Sequence, residues 1–227
     1  VQRLRFFGAH GLEAGQWEAL GLCETLGVQS DPAPGYQALA EAGFGHTALQ
    51  YADANGFGTS PGAPGAPARR SIARLRLEFP LAYWPQVRAI ATEVGVDPYL
   101  LLAMAKQEST FRATIRSHAG ATGVMQVMPA TAKWLAKVEP AITPSHIENL
   151  TSPINSIRLG GYYLMRMIER SGGNLIYALA AYNAGPGRVT RAIERGDTHD
   201  YWEMCRRQLL PRQTREYVPI ILAMAYV

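Results

Sequence analysis

Residues 97–111, DPYLLLAMAKQESTF, read as a buried helix carrying a carboxylate on its apolar face. Asp97 followed by Pro98 marks the helix start. An Asp side chain accepts from the first unpaired N–H groups, and Pro lacks the N–H that would go unpaired at the first helical position. From there Leu100, Met104 and Glu108 recur on one face, with Leu101 and Ala105 beside them. Glu108 therefore stands where another Leu or Ala is expected. Loss of hydration disfavours the charged carboxylate and raises its pKa. A carboxylic acid still protonated near neutral pH is a general acid for a leaving-group oxygen. The spacing also leaves the commoner reading open, a helix-terminal Glu whose head reaches solvent or caps neighbouring backbone.

The same helical period continues downstream. SPINSIRLGGYYLMRMIERSGG (152–173) reads as a long helix closed by Gly172-Gly173. NLIYALAAYNAGPG (174–187) reads as a helix with Asn174 as N-cap, stopped by Gly-Pro-Gly. RVTRAIERGD (188–197) and RQTREYVPIILAMAYV (212–227) are two more, and only TGVMQVM (122–128) has the pattern of a short extended piece. The fold class is all-α or nearly so.

Upstream, GTSPGAPGAPARR (58–70) is rich in Gly and Pro and has no large apolar residue, so it reads as a linker. Before it, residues 1–57 read as short Gly-punctuated helices like the units of a helical solenoid, whose apolar faces need stacked neighbours. The expected organisation is a helical appendage over 1–57, a linker over 58–70 and a main domain over 71–227. The chain begins with Val and its last residues still read as helix, so it is expected to be a mature form or fragment of a longer protein.

Hydrophobic residues make up 48% of the 227 and charged ones 18%, enough apolar mass for a sizeable core. No apolar run reaches the length that spans a bilayer. The net charge of +4 comes mostly from Arg spread along the chain, which argues against a nucleic-acid-binding arm. It suits a polyanionic substrate such as cell wall, with a compositional bias of the source as the alternative. His10, His46, His118, His146 and His199 show no ligand spacing, so no metal is expected. Cys23 and Cys205 lie far apart in helix-like segments and are expected to be buried free thiols, a disulfide being the lesser reading.

If Glu108 is a glycosidic acid, its partner is missing. Such cleavage normally uses two carboxyl groups roughly 5 to 9.5 Å apart. No Asp or Glu occurs from Ser109 through Val138, and Asp97 lies about 16 Å back along the helix at about 1.5 Å per residue.

ESTFRATIRSHAGATGVMQVMPATA (108–132), ALAAYNAGPGRV (178–189) and LPRQTREYV (210–218), in that order, resemble the three motif blocks of the soluble lytic transglycosylases of bacterial cell walls. The resemblance covers about residues 78–227. It implies a lysozyme-like catalytic domain preceded by the end of an α-solenoid, with no cofactor. It also implies peptidoglycan glycan strands as substrate, other cell-wall enzymes as candidate partners, and a periplasmic or cell-envelope setting. In that family a single Glu protonates the oxygen between N-acetylmuramic acid and N-acetylglucosamine, then takes the proton from the muramic C6 hydroxyl. That hydroxyl closes on C1 to leave a 1,6-anhydro end, and the substrate's own N-acetyl group steadies the positive charge.

Carried over, Glu108 is the acid and base, and Ser117 is expected near the N-acetyl or lactyl group. Gln126 is the hydrogen-bonder of a groove wall lined by Met125 and Met128, although a Met stripe is more often core. Tyr182 and Asn183 are the sugar-contacting pair, with a helix C-cap as the plainer reading of Asn183. Tyr217 is retained from the third block. Gln213 stands where the family usually has an acid, and Glu216, three residues on, is the candidate for a shifted role. A hydrolysing goose-type lysozyme relative and a non-cutting wall-binding module are the alternatives.

Overall fold

The computed structural model describes residues 79–226 together with Thr47. The expectations for the 1–57 appendage, the 58–70 linker and Cys23 fall outside the described residues. Within them the chain forms nine helices: α1 (Trp84–Val94), α2 (Pro98–Ser109), α3 (Pro129–Val138), α4 (Pro144–Glu148), α5 (Pro153–Arg170), α6 (Leu175–Ala184), α7 (Pro186–Gly196), α8 (Tyr201–Arg206) and α9 (Arg212–Tyr226). Extended structure among the described residues is limited to two isolated antiparallel bridges, Arg116 to Thr122 and Thr122 to Val127. The all-α class read from the sequence holds, but TGVMQVM is not an extended piece: residues 123–126 form a turn closed by the Thr122–Val127 bridge.

The helix signals act as the sequence implies. Asp97 accepts from Tyr99 N at 2.7 Å and from Leu100 N at 3.3 Å, with Pro98 at the first helical position of α2. Asn174 caps α6 by accepting from Tyr177 N at 3.2 Å. Gly172 and Gly173, both at positive φ, carry the chain out of α5. One boundary differs. Gly185 closes α6 and also opens α7, so Pro186 and Gly187 begin a helix rather than only ending one. A Pro suits the first turn of a new helix because its missing N–H is not needed there.

The α2 helix is the centre of the molecule. Leu100 through Ala105 are all buried, so it is apolar around its whole circumference and not on one stripe alone. It packs on α9 and α1, while α5 covers α1, α3 and α6. Leu101, Met104, Leu159, Leu164, Leu179 and Ile221 form the fully buried interior. Gly160 and Gly161 let α5 approach closely. A Cβ on Gly160 would lie 2.6 Å from Met125 Cβ, and one on Gly161 would lie 3.1 Å from an Ile90 methyl. Cys205 is a free thiol, half-buried rather than buried.

Candidate active site

Glu108 reaches the site because α2 ends immediately after it. Thr110 and Phe111 take left-handed backbone at φ 52° and 62°, which turns the chain sharply off the helix axis. Ser109 fixes that end by donating through Oγ to Val124 O at 2.8 Å, tying α2 to the 122–128 loop. The Glu108 residue keeps part of its surface open, yet its carboxyl is packed deeply enough that desolvation raises its pKa to about 7. The opposing influence is the Tyr217 hydroxyl on α9, which donates to Glu108 Oε1 at 2.6 Å. No charged neighbour contributes to the shift. The Tyr217 and Tyr182 hydroxyls are themselves pushed well above the ordinary phenol value by burial, with the Glu108 charge adding to it, so both remain protonated donors.

The other acids near this half of the fold are engaged elsewhere. Glu93 accepts from Tyr162 at 2.6 Å and pairs with Arg158. Glu139 is buried against Arg166, and Glu169 pairs with the same Arg166 at 2.8 Å. Glu216, the candidate for a shifted role, is exposed and bonded to Arg212 at 2.7 Å. On a helix, adjacent positions point about 100° apart, so Glu216 lies off the face that presents Tyr217.

The 122–128 loop is built as one turn closed by paired bonds, Thr122 N to Val127 O at 3.1 Å and Val127 N to Thr122 O at 3.2 Å. Gly123 sits at φ 83°, where a Cβ would overlap the Leu150 carbonyl oxygen and lie 2.7 Å from Ser156 Oγ. Ser156, fully buried on α5, accepts from Met125 N at 3.0 Å. Gln126 holds a left-handed backbone at φ 48°, and its Nε2 donates to Ile115 O at 3.2 Å and Gly123 O at 2.9 Å. Its amide donors therefore brace the loop, a role the sequence did not show.

A cavity of about 270 Å³ opens between this loop, α5 and the end of α6, lined by Gln126, Met128, Thr131, Tyr163, Tyr182 and Asn183 among others. Tyr182 joins it to Glu108, since it lines the cavity and its hydroxyl feels the Glu108 charge. That hydroxyl donates to Met125 O at 2.9 Å, so what Tyr182 offers the cavity is part of its ring. Asn183 is no C-cap. Its Oδ1 accepts from Thr214 Oγ1 at 2.8 Å, which aligns α6 with α9 and leaves its NH2 for the cavity.

Of the residues expected from the sequence, Gln126, Met128, Tyr182 and Asn183 line the cavity, and Glu108 with its Tyr217 partner lies next to Tyr182. Met125 does not belong to the groove wall. Its side chain has no exposed surface and packs on Gly160, so only its backbone takes part. Ser117 is half-buried in its own turn, accepting from Ala121 N at 3.0 Å, and does not line the cavity. Gln213 is exposed one helical turn before Tyr217 on the same side of α9 and does not line it either. His118 is exposed in the loop, and no group of three metal-binding side chains occurs among the described residues. Tyr163 and Thr131 were missed. The Tyr162-Tyr163 pair was the available signal, because neighbouring positions on one helix cannot both face the same side.

Against known proteins, residues 86–205 match the family model for the transglycosylase SLT domain. The soluble lytic murein transglycosylase of Escherichia coli K12 is 36% identical over 115 residues, 51% of this chain but 18% of that protein. The crystal structure of the 70 kDa soluble lytic transglycosylase from Escherichia coli superposes with a TM-score of 0.70 at 26% identity, covering 98% of this chain and 34% of that one. A Glu-to-Gln inactive mutant of the lytic transglycosylase Slt from Pseudomonas aeruginosa gives 0.67 at 25% identity, over 99% of this chain and 36% of that one. The chain thus spans only a minor part of these relatives' length. The family match runs from α1 to α8 and takes in Glu108, the 122–128 loop and the α6 side of the cavity, so this chain belongs to the transglycosylase SLT domain family.

Proposed function

We propose that this chain is a peptidoglycan lytic transglycosylase that cleaves the β-1,4 bond from N-acetylmuramic acid to N-acetylglucosamine without water, using Glu108 as acid and then base. The observation that carries this reading is the state of Glu108. It is a desolvated carboxyl with a pKa of about 7, held by one neutral donor and shifted by no second charge. Near neutral pH such a group is populated in both protonation states, as a residue that must first give and then take a proton requires.

In the first step the Glu108 proton goes to the glycosidic oxygen, the C1–O bond breaks, and N-acetylglucosamine leaves as an alcohol. The acetamido oxygen of the muramic residue covers the positive charge at C1, where a second carboxylate would otherwise be needed. Glu108, now ionised and stabilised by the Tyr217 hydroxyl, removes the C6 hydroxyl proton. O6 then bonds to C1, and the enzyme returns to its starting protonation state. The partly buried Asn183 amide and the Tyr182 ring suit the polar and apolar faces of a sugar. That one Glu-to-Gln change accompanies inactivity in the Pseudomonas relative fits the single-acid scheme. A peptidoglycan substrate puts the work outside the cytoplasm, and no described helix is long and apolar enough to cross a membrane.

Mass spectrometry of digested peptidoglycan tests this directly. Muropeptides lighter by one water, with no reducible end, are expected. Products with reducing ends alone would show a hydrolase and sink the transglycosylase reading.

Tyr217→Phe tests the shell around the acid. The hydroxyl lowers the Glu108 pKa, so its removal raises that pKa and the alkaline limb of the kcat/KM profile should move upward. The hydroxyl also steadies the ionised form that acts as base, so kcat should fall. An alkaline limb in the same place as in the parent would show that Tyr217 does not tune Glu108.

A further inference from the structure

The third motif block, LPRQTREYV, holds a buried polar side chain to which the proposed chemistry gives no role. Thr214, in the first turn of α9, is only 1% exposed. A helical Thr commonly bonds back to the carbonyl four residues before it. Thr92 and Thr190 do so here, to Arg88 O at 2.9 Å and Pro186 O at 3.1 Å. The Thr214 hydroxyl instead crosses to α6 and donates to Asn183 Oδ1 at 2.8 Å. The start of α9 has a separate tie, because the Tyr201 hydroxyl on α8 donates to Thr214 O at 3.1 Å.

The direction of the Thr214 bond decides what Asn183 can offer. A side-chain amide carries an accepting oxygen at one corner and a donating NH2 at the other, and a half-turn exchanges them. With Oδ1 taken by Thr214, the NH2 is the end left for the cavity that Asn183 lines. A half-turn would set an acceptor there, facing the carbonyl and ring oxygens of a sugar, which only accept. Three positions along the same side of α9, the Tyr217 hydroxyl donates to Glu108 Oε1 at 2.6 Å. One helix face therefore supplies two donors, one to the acid and one to the amide. Resting on the transglycosylase reading for the identity of the ligand, we infer that Thr214 is a positioning residue for substrate binding. Its hydroxyl holds the Asn183 NH2 toward the cavity, where it donates to an acceptor oxygen of the glycan. Thr214 does not line the cavity and acts only through Asn183.

The test compares the parent with Thr214→Val, Thr214→Ser, Asn183→Ala and the double variant Thr214→Val with Asn183→Ala. Val keeps the branched shape and loses the hydroxyl. On peptide-free glycan strands, Thr214→Val should raise KM about fivefold, which corresponds to about 1 kcal/mol for one lost hydrogen bond. Its kcat and the alkaline limb of its kcat/KM profile should stay where the parent has them. Thr214→Ser should recover most of the loss. Once Asn183 is Ala, Thr214→Val should weaken binding no further. A packing role alone would lower the melting temperature and leave the two losses additive, and the proposal then falls. It falls equally if kcat drops at unchanged KM or the alkaline limb moves, because Thr214 would then bear on Glu108 through α9. Calorimetric binding of the same strands to these variants, each built on Glu108→Gln, gives the same cycle without turnover. That readout holds even if the parent releases no anhydro ends, so loss of the transglycosylase reading and loss of the Thr214 role are separable.

Discussion

Glu108→Gln is expected to abolish release of anhydro ends from peptidoglycan, lowering turnover by at least about a thousandfold. General acid–base catalysis by one placed group contributes about 10² to 10⁴, and in the proposed scheme one group serves both proton transfers. Gln keeps the shape and can still accept from Tyr217, so the fold should survive. Stability should in fact change in a pH-dependent way. Glu108 in the folded chain titrates near 7, above its ordinary 4.5. Its neutral form is therefore favoured by folding, a contribution fully present below about 4.5 and lost as pH rises through about 7. At pH above 7 the parent must bury an ionised carboxyl and the Gln variant need not. The gap between 4.5 and about 7 corresponds to about 3 kcal/mol as an upper figure, trimmed by the part of Glu108 that stays open to solvent. Melting measured from pH 4 to pH 9 should show the variant gaining on the parent as pH rises from about 4.5 to about 7 and keeping that gain above it. A constant difference across that range would mean that Glu108 is not held protonated by burial, and turnover retained in the variant would displace it as the acid.

Gly123→Ala should cost about 2–5 kcal/mol of stability and most of the activity, the largest effect expected from a single added methyl group. Two independent costs meet there. At φ 83° an L side chain is strained by roughly 1–2 kcal/mol, and overpacking a closed site adds about 1–3 kcal/mol. The added Cβ meets both a side chain, Ser156 Oγ, and a backbone group, the Leu150 carbonyl oxygen. Adding Ser156→Ala removes the first contact but also the acceptor for Met125 N, and the backbone contact stays. The double variant is therefore expected to melt no higher than Gly123→Ala alone. Recovery in the double variant would mean that Ser156 is the obstacle, and a melting point equal to the parent's would mean that the loop has room to give. Activity should fall with stability because the 122–128 loop holds Val124 O over Ser109, Met125 O over Tyr182 and Gln126 in the cavity wall.

Much of the fold was legible in short-range signals. Asp97-Pro98, Asn174 and Gly172-Gly173 mark helix ends through bonds made within a turn of themselves, and those bonds do not depend on the rest of the chain. Gly185 was half-read, because a residue that closes one helix and opens the next looks like a plain stop until the following Pro is seen to be helical. The apolar period placed Glu108 on the buried course of α2, and the acid-free stretch after it removed a local second carboxylate.

Side-chain direction across elements was not legible. Met125 and Met128 share one motif three residues apart, yet one packs on Gly160 in the core and the other faces the cavity. The left-handed turn at Gln126 between them reverses the chain, and no helical or strand period holds through it. Gln126 and Tyr182 were read as groups for the substrate, while their donors are committed to Ile115, Gly123 and Met125 carbonyls that only the folded loop brings near. Tyr163 was hidden because its partners Trp134 and Tyr182 lie on other helices. The sequence by itself determined the helical class and the helix ends, since each depends on backbone chemistry or residue type within a few positions. Only the tertiary structure decided the acid's pKa and its Tyr217 partner, because desolvation and a hydrogen bond across 109 residues exist only once α2 and α9 pack together.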